Sequence, residues 1–83
     1  MDCNISTQHG KARQFKEFDV NVGRRVKAKR LELKLTRERL SCKAQISDKF
    51  LYEIERGGKG MSAETLYKVA HALGVSADWL LGE

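Results

Sequence analysis

Apolar side chains recur along this chain at the spacing of helices, and strand-like alternation is weak everywhere. From Asn21 onward, Val22, Val26 and Leu33 fall near a 3.6-residue period, with Arg24, Arg25, Lys27, Lys29 and Arg30 set between them. The pattern predicts a first helix that Asn21 caps and that ends near Leu33 and Lys34. Thr36 suits the cap of a short second helix to about Ala44, with Leu40 and Ala44 on its inner face. Glu38 lies in its first turn, where negative charge suits the helix dipole; Arg37 and Arg39 do not suit it. Ser47 caps a third helix and Asp48 opens it. Leu51 and Ile54 face inward, and Gly57 and Gly58 stop it. Ser62 starts a fourth helix, in which Leu66, Val69, Ala70 and Leu73 form one stripe; Gly74 ends it and Val75 follows. Ser76 opens a last short helix, with Trp79, Leu80 and Leu81 expected to supply core bulk. The expected fold is all-α: a compact bundle of about five short helices.

Residues 1–20 stand apart. Residues 1–11 are polar and unpatterned, as in a tail. Phe15, Phe18 and Val20 leave two readings: a short helix docked on the domain, or a flexible extension. The expected division is an N-terminal extension over 1–20 and a single domain over 21–83, with a thin core at this length.

Sixteen Lys and Arg against 11 Asp and Glu leave a net charge of +5. Such a surplus suits an anionic partner, whether nucleic acid, membrane surface or acidic protein, and equally a merely solvated surface. Cys3 and Cys42 are too few for a disulfide framework or a four-thiolate zinc site. As reduced thiols they fit a cytoplasmic protein. Polar residues 6–11 interrupt any signal-peptide core, and no apolar stretch approaches the ~20 residues of a membrane span. No membrane partner is expected. His9 and His71 lie far apart, and no Cys/His pair or metal-ligand spacing occurs. Gly57-Gly58-Lys59-Gly60 follows a helix and lacks the strand context of a phosphate-binding loop. The expectation is a protein that is not an enzyme and takes no cofactor or metal.

The stretch from Leu40 to Gly57 carries the chemistry. It reads as a short helix, a turn at Gln45, Ile46 and Ser47, and a second helix. Leu40, Ala44, Ile46, Leu51 and Ile54 let the two helices cross steeply over one small core. The outer face of the second is left with Asp48, Lys49, Tyr52 and Glu53, a set able to reach base edges in a major groove. Lys49 can donate to guanine O6 or N7. Asp48 can accept from cytosine N4 or simply serve the helix dipole. Tyr52 can meet a thymine methyl, a phosphate or the protein itself. Glu53 is either a cytosine reader or a residue that rejects wrong sequences. Arg37 puts positive charge at a helix N-terminus, which costs roughly a few tenths of a kcal/mol to about 1 unless an anionic phosphate sits there. Lys43, Arg56 and Lys59 are candidate phosphate contacts; Lys27, Lys29 and Arg25 rank below them.

Three pieces in order resemble the Cro/phage-repressor (XRE-type) family of helix-turn-helix domains. They are Arg30 with Leu35-Thr36; Leu40, Ile46-Ser47, Leu51 and Ile54-Glu55-Arg56-Gly57; and Leu66, Val69-Ala70, Ala72-Leu73-Gly74-Val75-Ser76 and Asp78-Trp79-Leu80-Leu81. The resemblance covers about three quarters of the chain. It implies a lambda-repressor-like bundle whose second and third helices form the helix-turn-helix. It also implies a sequence-specific double-stranded DNA-binding transcriptional regulator, a repressor, reading the major groove with the helix over residues 47–56. Asp48, Lys49 and Glu53 match base-reading positions, with Tyr52 beside them. Arg37 matches a backbone-contacting position, and Ser47, Lys43, Arg56 and Lys59 join it as backbone contacts. Gly58-Lys59-Gly60 matches a loop that offers backbone N–H groups to phosphate. Arg30 and Glu55 match a partly buried structural ion pair. A homodimer on a palindromic operator, joined near residues 75–81, is implied too; apart from the resemblance, no small-molecule ligand and no separate ligand domain are expected.

The chain departs from the family at four places. Gln45 stands where glycine is usual, so the turn is expected to differ slightly. Arg39 replaces the glutamate of a capping box. Two acids occupy a recognition helix where glutamines are common. Gly60-Met61 replaces a frequent proline. The rival function is a protein-binding module, an antitoxin or anti-repressor, with Phe15 and Phe18 as its partner-binding element.

Overall fold

The computed structural model describes residues 16–82. They form five α-helices and no strand: α1 (Glu17–Glu32), α2 (Arg37–Ala44), α3 (Asp48–Arg56), α4 (Ala63–Leu73) and α5 (Ala77–Leu81). The expected tail over 1–11, with Cys3 and His9, and also Phe15, lie outside the described residues.

Four helices start where the sequence places them, and for the expected reason. The hydroxyls of Thr36, Ser47, Ser62 and Ser76 accept from the N–H groups of Arg39, Phe50, Thr65 and Trp79 at 3.0–3.2 Å. Each such cap is worth about 1 kcal/mol. The first helix differs. It begins at Glu17, after Lys16, which makes no side-chain cap, and the dipole is met instead by Glu17 and Asp19 in the first turn. Asn21 is therefore not a cap. It lies inside α1, where its Oδ1 accepts from Arg24 Nη1 at 3.4 Å. Phe18 and Val20 belong to the same helix.

Helix ends share one closure. Leu35, Ile46, Gly58 and Val75 donate their N–H groups back five residues, to the carbonyls of Arg30, Ser41, Glu53 and Ala70. That geometry requires a left-handed residue one position earlier. Gly57 and Gly74 fill it without strain, whereas Lys34 and Gln45 adopt φ 60° with side chains attached. The turn at Gln45 is thus not altered by the missing glycine; it keeps the left-handed residue and bears its cost, about 1 kcal/mol. Gln45→Gly is accordingly expected to add about 1 kcal/mol and raise Tm by about 4–8 °C in a thermal melt. An unchanged or lowered Tm would contradict this.

The core is built from Val22, Val26, Leu40, Ala44, Leu51, Ile54, Val69, Ala70, Leu73 and Leu80. α1 lies on α3, α2 on α3 and α4, and α5 closes the bundle against α1 and α4. The approach of α1 to α3 is close at Gly23. A Cβ there would lie 2.9 Å from the Glu55 carbonyl oxygen and inside contact distance of that of Ile54.

Two apolar expectations fail. Leu33 is exposed, because the buried stripe of α1 runs through Val22, Gly23 and Val26 to Arg30, and Leu33 falls past the helix end. Trp79 is 39% exposed, because Leu80 takes the inward position and adjacent helical residues cannot both face the core. Its ring instead carries Lys29 Nζ at 5.1 Å from the centroid.

Candidate nucleic-acid interface

Burial of Leu51 and Ile54, with Ser47 fixing where α3 begins, turns residues 48, 49, 52 and 56 outward. Asp48, Lys49, Tyr52 and Arg56 are exposed and Glu53 is partly so. Ser47 Oγ is engaged as the helix cap; its O–H remains able to donate.

α2 brings Arg37 onto this face. Its Nε donates to Asp48 Oδ1 at 3.1 Å, and its guanidinium stands 5.1 Å from the centroid of Tyr52. Arg56, one turn further along α3, approaches the same ring at 5.7 Å and donates through Nη1 to Glu53 Oε1 at 3.1 Å. The hydrogen bond to Asp48 holds the Arg37 pKa above its ordinary value. The sequence reading put Arg37 and Arg56 among backbone contacts and Asp48, Tyr52 and Glu53 among base contacts. The structure joins the two sets into one cluster.

Beneath the cluster is a cleft of about 120 Å³ lined by Lys27, Arg30, Arg37, Tyr52, Glu55 and Arg56. Its only carboxylate is already occupied. Arg30 Nε and Nη2 donate to Glu55 at 2.7 and 3.1 Å, and Nη1 donates to the Leu35 carbonyl at 2.9 Å. The two side chains are 10% and 6% exposed. This bidentate pair ties α1, the turn before α2 and the end of α3 together. Lys27, Arg37 and Arg56 line the rest of the cleft, the two arginines also engaged by Asp48 and Glu53 outside it, and this lining suits an oxyanion. On sequence alone Lys27 ranks below the other cations. Its place one turn before Arg30, on the same side of α1, is the signal that finds it.

The remaining candidates are spread out. Lys59 lines a different cleft, of about 240 Å³, with Phe18, Asp19, Met61 and Leu81. Lys43 is exposed in the last turn of α2, and Lys49 stands exposed on α3. Among the described residues no group of His, Cys, Asp and Glu could hold a metal ion, and no helix is long and apolar enough to cross a membrane.

Residues 23–82 match the helix-turn-helix domain family. The chain belongs to the helix-turn-helix family. This helix-turn-helix chain is 44% identical over 64 residues to the immunity repressor protein of Bacillus phage phi105, covering 77% of the chain and 44% of that protein. It is 34% identical over 71 residues to an uncharacterized transcriptional regulator in the ATPase CF(0) region of Rhodospirillum rubrum, covering 86% and 66%. The chain thus spans less than two thirds of either relative. Two solved folds are similar. The restriction-modification controller protein C.AhdI of Aeromonas hydrophila aligns with TM-score 0.73 and 26% identity, over 75% of this chain and 94% of that one. The clp gene regulator ClgR of C. glutamicum aligns with TM-score 0.76 and 32% identity, over 80% and 85%. The Cro/phage-repressor resemblance and the all-helical bundle both agree with these relatives.

Proposed function

We infer that the chain is a sequence-specific double-stranded DNA-binding transcriptional repressor, acting in the cytoplasm and reading the major groove with α3. The observation that carries this reading is the exposed outer face of α3, with Asp48, Lys49 and Tyr52 held outward on a rigid helix-turn-helix and cations beside them. The name of the phage phi105 relative, an immunity repressor, supports repression over activation. Lys49 and the two acids read bases. Arg37, Lys27, Arg56, Lys43, Ser47 and Lys59 position the backbone. Two copies on a palindromic operator supply the contacts that one short helix lacks. The roles are binding roles and need no cofactor or small-molecule ligand.

Selection of bound duplexes from a random pool tests the reading. A two-fold symmetric site is expected to enrich. No enrichment, with no salt-sensitive binding, rejects it. Within that assay Lys49→Ala is expected to relax discrimination at one base pair by about 1–3 kcal/mol. Arg37→Ala is expected to weaken binding to the selected site without changing which base is preferred at any one position, and to flatten the salt dependence there. Identical behaviour of the two variants would dissolve the distinction between reader and anchor.

A further inference from the structure

We propose that Asp48 and Glu53 are internal counter-ions that hold Arg37 and Arg56 back from DNA of the wrong sequence, and release them where a base amino group, above all cytosine N4, receives the carboxylate. The proposal rests on the DNA-binding reading above. It starts from an arrangement that the reading does not require. Two arginines suited to phosphate each donate to a carboxylate of the recognition helix, Arg37 to Asp48 and Arg56 to Glu53, both at 3.1 Å. Both guanidiniums also approach the ring of Tyr52, at 5.1 and 5.7 Å. Acids and arginines of the interface therefore neutralise each other across α3 before any partner arrives.

The chemistry of release is asymmetric. A carboxylate only accepts hydrogen bonds. Facing a groove edge that presents acceptors, it gains nothing and is repelled by the polyanion. Facing cytosine N4, it replaces the arginine's hydrogen bond with the base's, and the arginine takes a phosphate in its place. A matching site thus exchanges one set of partners for another, whereas a wrong site must separate the ions and strand the acid. The pairs are suited to exchange because they are not buried. Side-chain exposures are 39% and 50% for Arg37 and Asp48, and 44% and 23% for Arg56 and Glu53. Ion pairs this exposed are weak enough to part, with restraint of roughly two- to fivefold each. Tyr52 acts as a positioning residue, giving both guanidiniums a surface to rest on.

The test measures wild type, Asp48→Asn and Glu53→Gln on random duplex and on the selected site across a salt series. Each variant is expected to bind random duplex about two- to fivefold more tightly. The slope of log affinity against log salt should steepen by up to about 0.9 per released arginine. Binding to the selected site is expected to fall by about fivefold or more, so preference for it drops at least about tenfold. Asp48→Asn is then repeated with Arg37→Ala already present, where the gain on random duplex should vanish. A gain that persists there would mean that loss of a negative charge alone explains it, and would overturn the proposal. So would a variant that binds random duplex as wild type does. If wild type binds with salt sensitivity while neither acid matters, only this proposal fails. If wild type binds no duplex at low salt, the DNA-binding reading fails and the proposal falls with it. Circular dichroism of each variant confirms that the fold is retained.

Discussion

Glu55→Ala is expected to destabilise the protein by about 3–5 kcal/mol, the amount seen when one partner of a buried ion pair is removed. Glu55 and Arg30 are 6% and 10% exposed, and their contact is bidentate. Removal of the carboxylate leaves a guanidinium in the core wall with only the Leu35 carbonyl to satisfy it. Small domains have only about 5–15 kcal/mol in total, so the loss takes a large share of the stability. In a thermal melt the shift should be at least about 12 °C. Charge alone does not determine the outcome. Replacing both partners by apolar residues of similar size, Arg30→Met with Glu55→Leu, is expected to recover most of the loss, since no ion is then left unpaired. A single variant that loses about 1 kcal/mol or less would show that the pair behaves as an exposed one.

Gly23→Ala is expected to be nearly as severe, and opposite in sign to helix propensity. In the middle of an exposed helix the change gains about 1 kcal/mol. Here the new methyl group would meet the carbonyls of Ile54 and Glu55, which are main-chain atoms at the end of α3 and cannot swing aside. α1 must move off α3, and a close-packed interior does not absorb such a shift locally. The expected net loss is about 2 kcal/mol or more, read by urea unfolding. A stabilised variant would mean that the two helices sit further apart than described.

Most of the fold was legible because its signals are local. Four of the five helix starts carry a Ser or Thr whose hydroxyl satisfies an N–H three residues on, and that signal needs no knowledge of the fold. The start of α1 was not legible, because Lys16 offers no such oxygen while Asn21 offers one in the wrong place. Leu33 and Trp79 misled for a related reason. Hydrophobicity marks candidates for burial, but helix phase decides among neighbours, and Arg30 and Leu80 held the inward positions. At the site, the outward set on α3 followed from the period of Leu51 and Ile54. The pairing of Arg37 with Asp48 did not, because it spans eleven residues across a turn. The spacing of Lys27 to Arg30 puts it on the right side of α1, but the cleft that it lines exists only because α1 lies along α3, which no local pattern states.

The chain has one tryptophan, and its position makes it useful. Trp79 belongs to α5, lies half in solvent and is overlain by Lys29 of α1, so its indole marks the seam between the first and last helices. Loosening of that seam changes the solvation of a single chromophore and hence its emission, while α2 and α3 contribute no indole of their own. Fluorescence can therefore follow the integrity of the scaffold without a label, including in variants whose changes lie on α2 and α3.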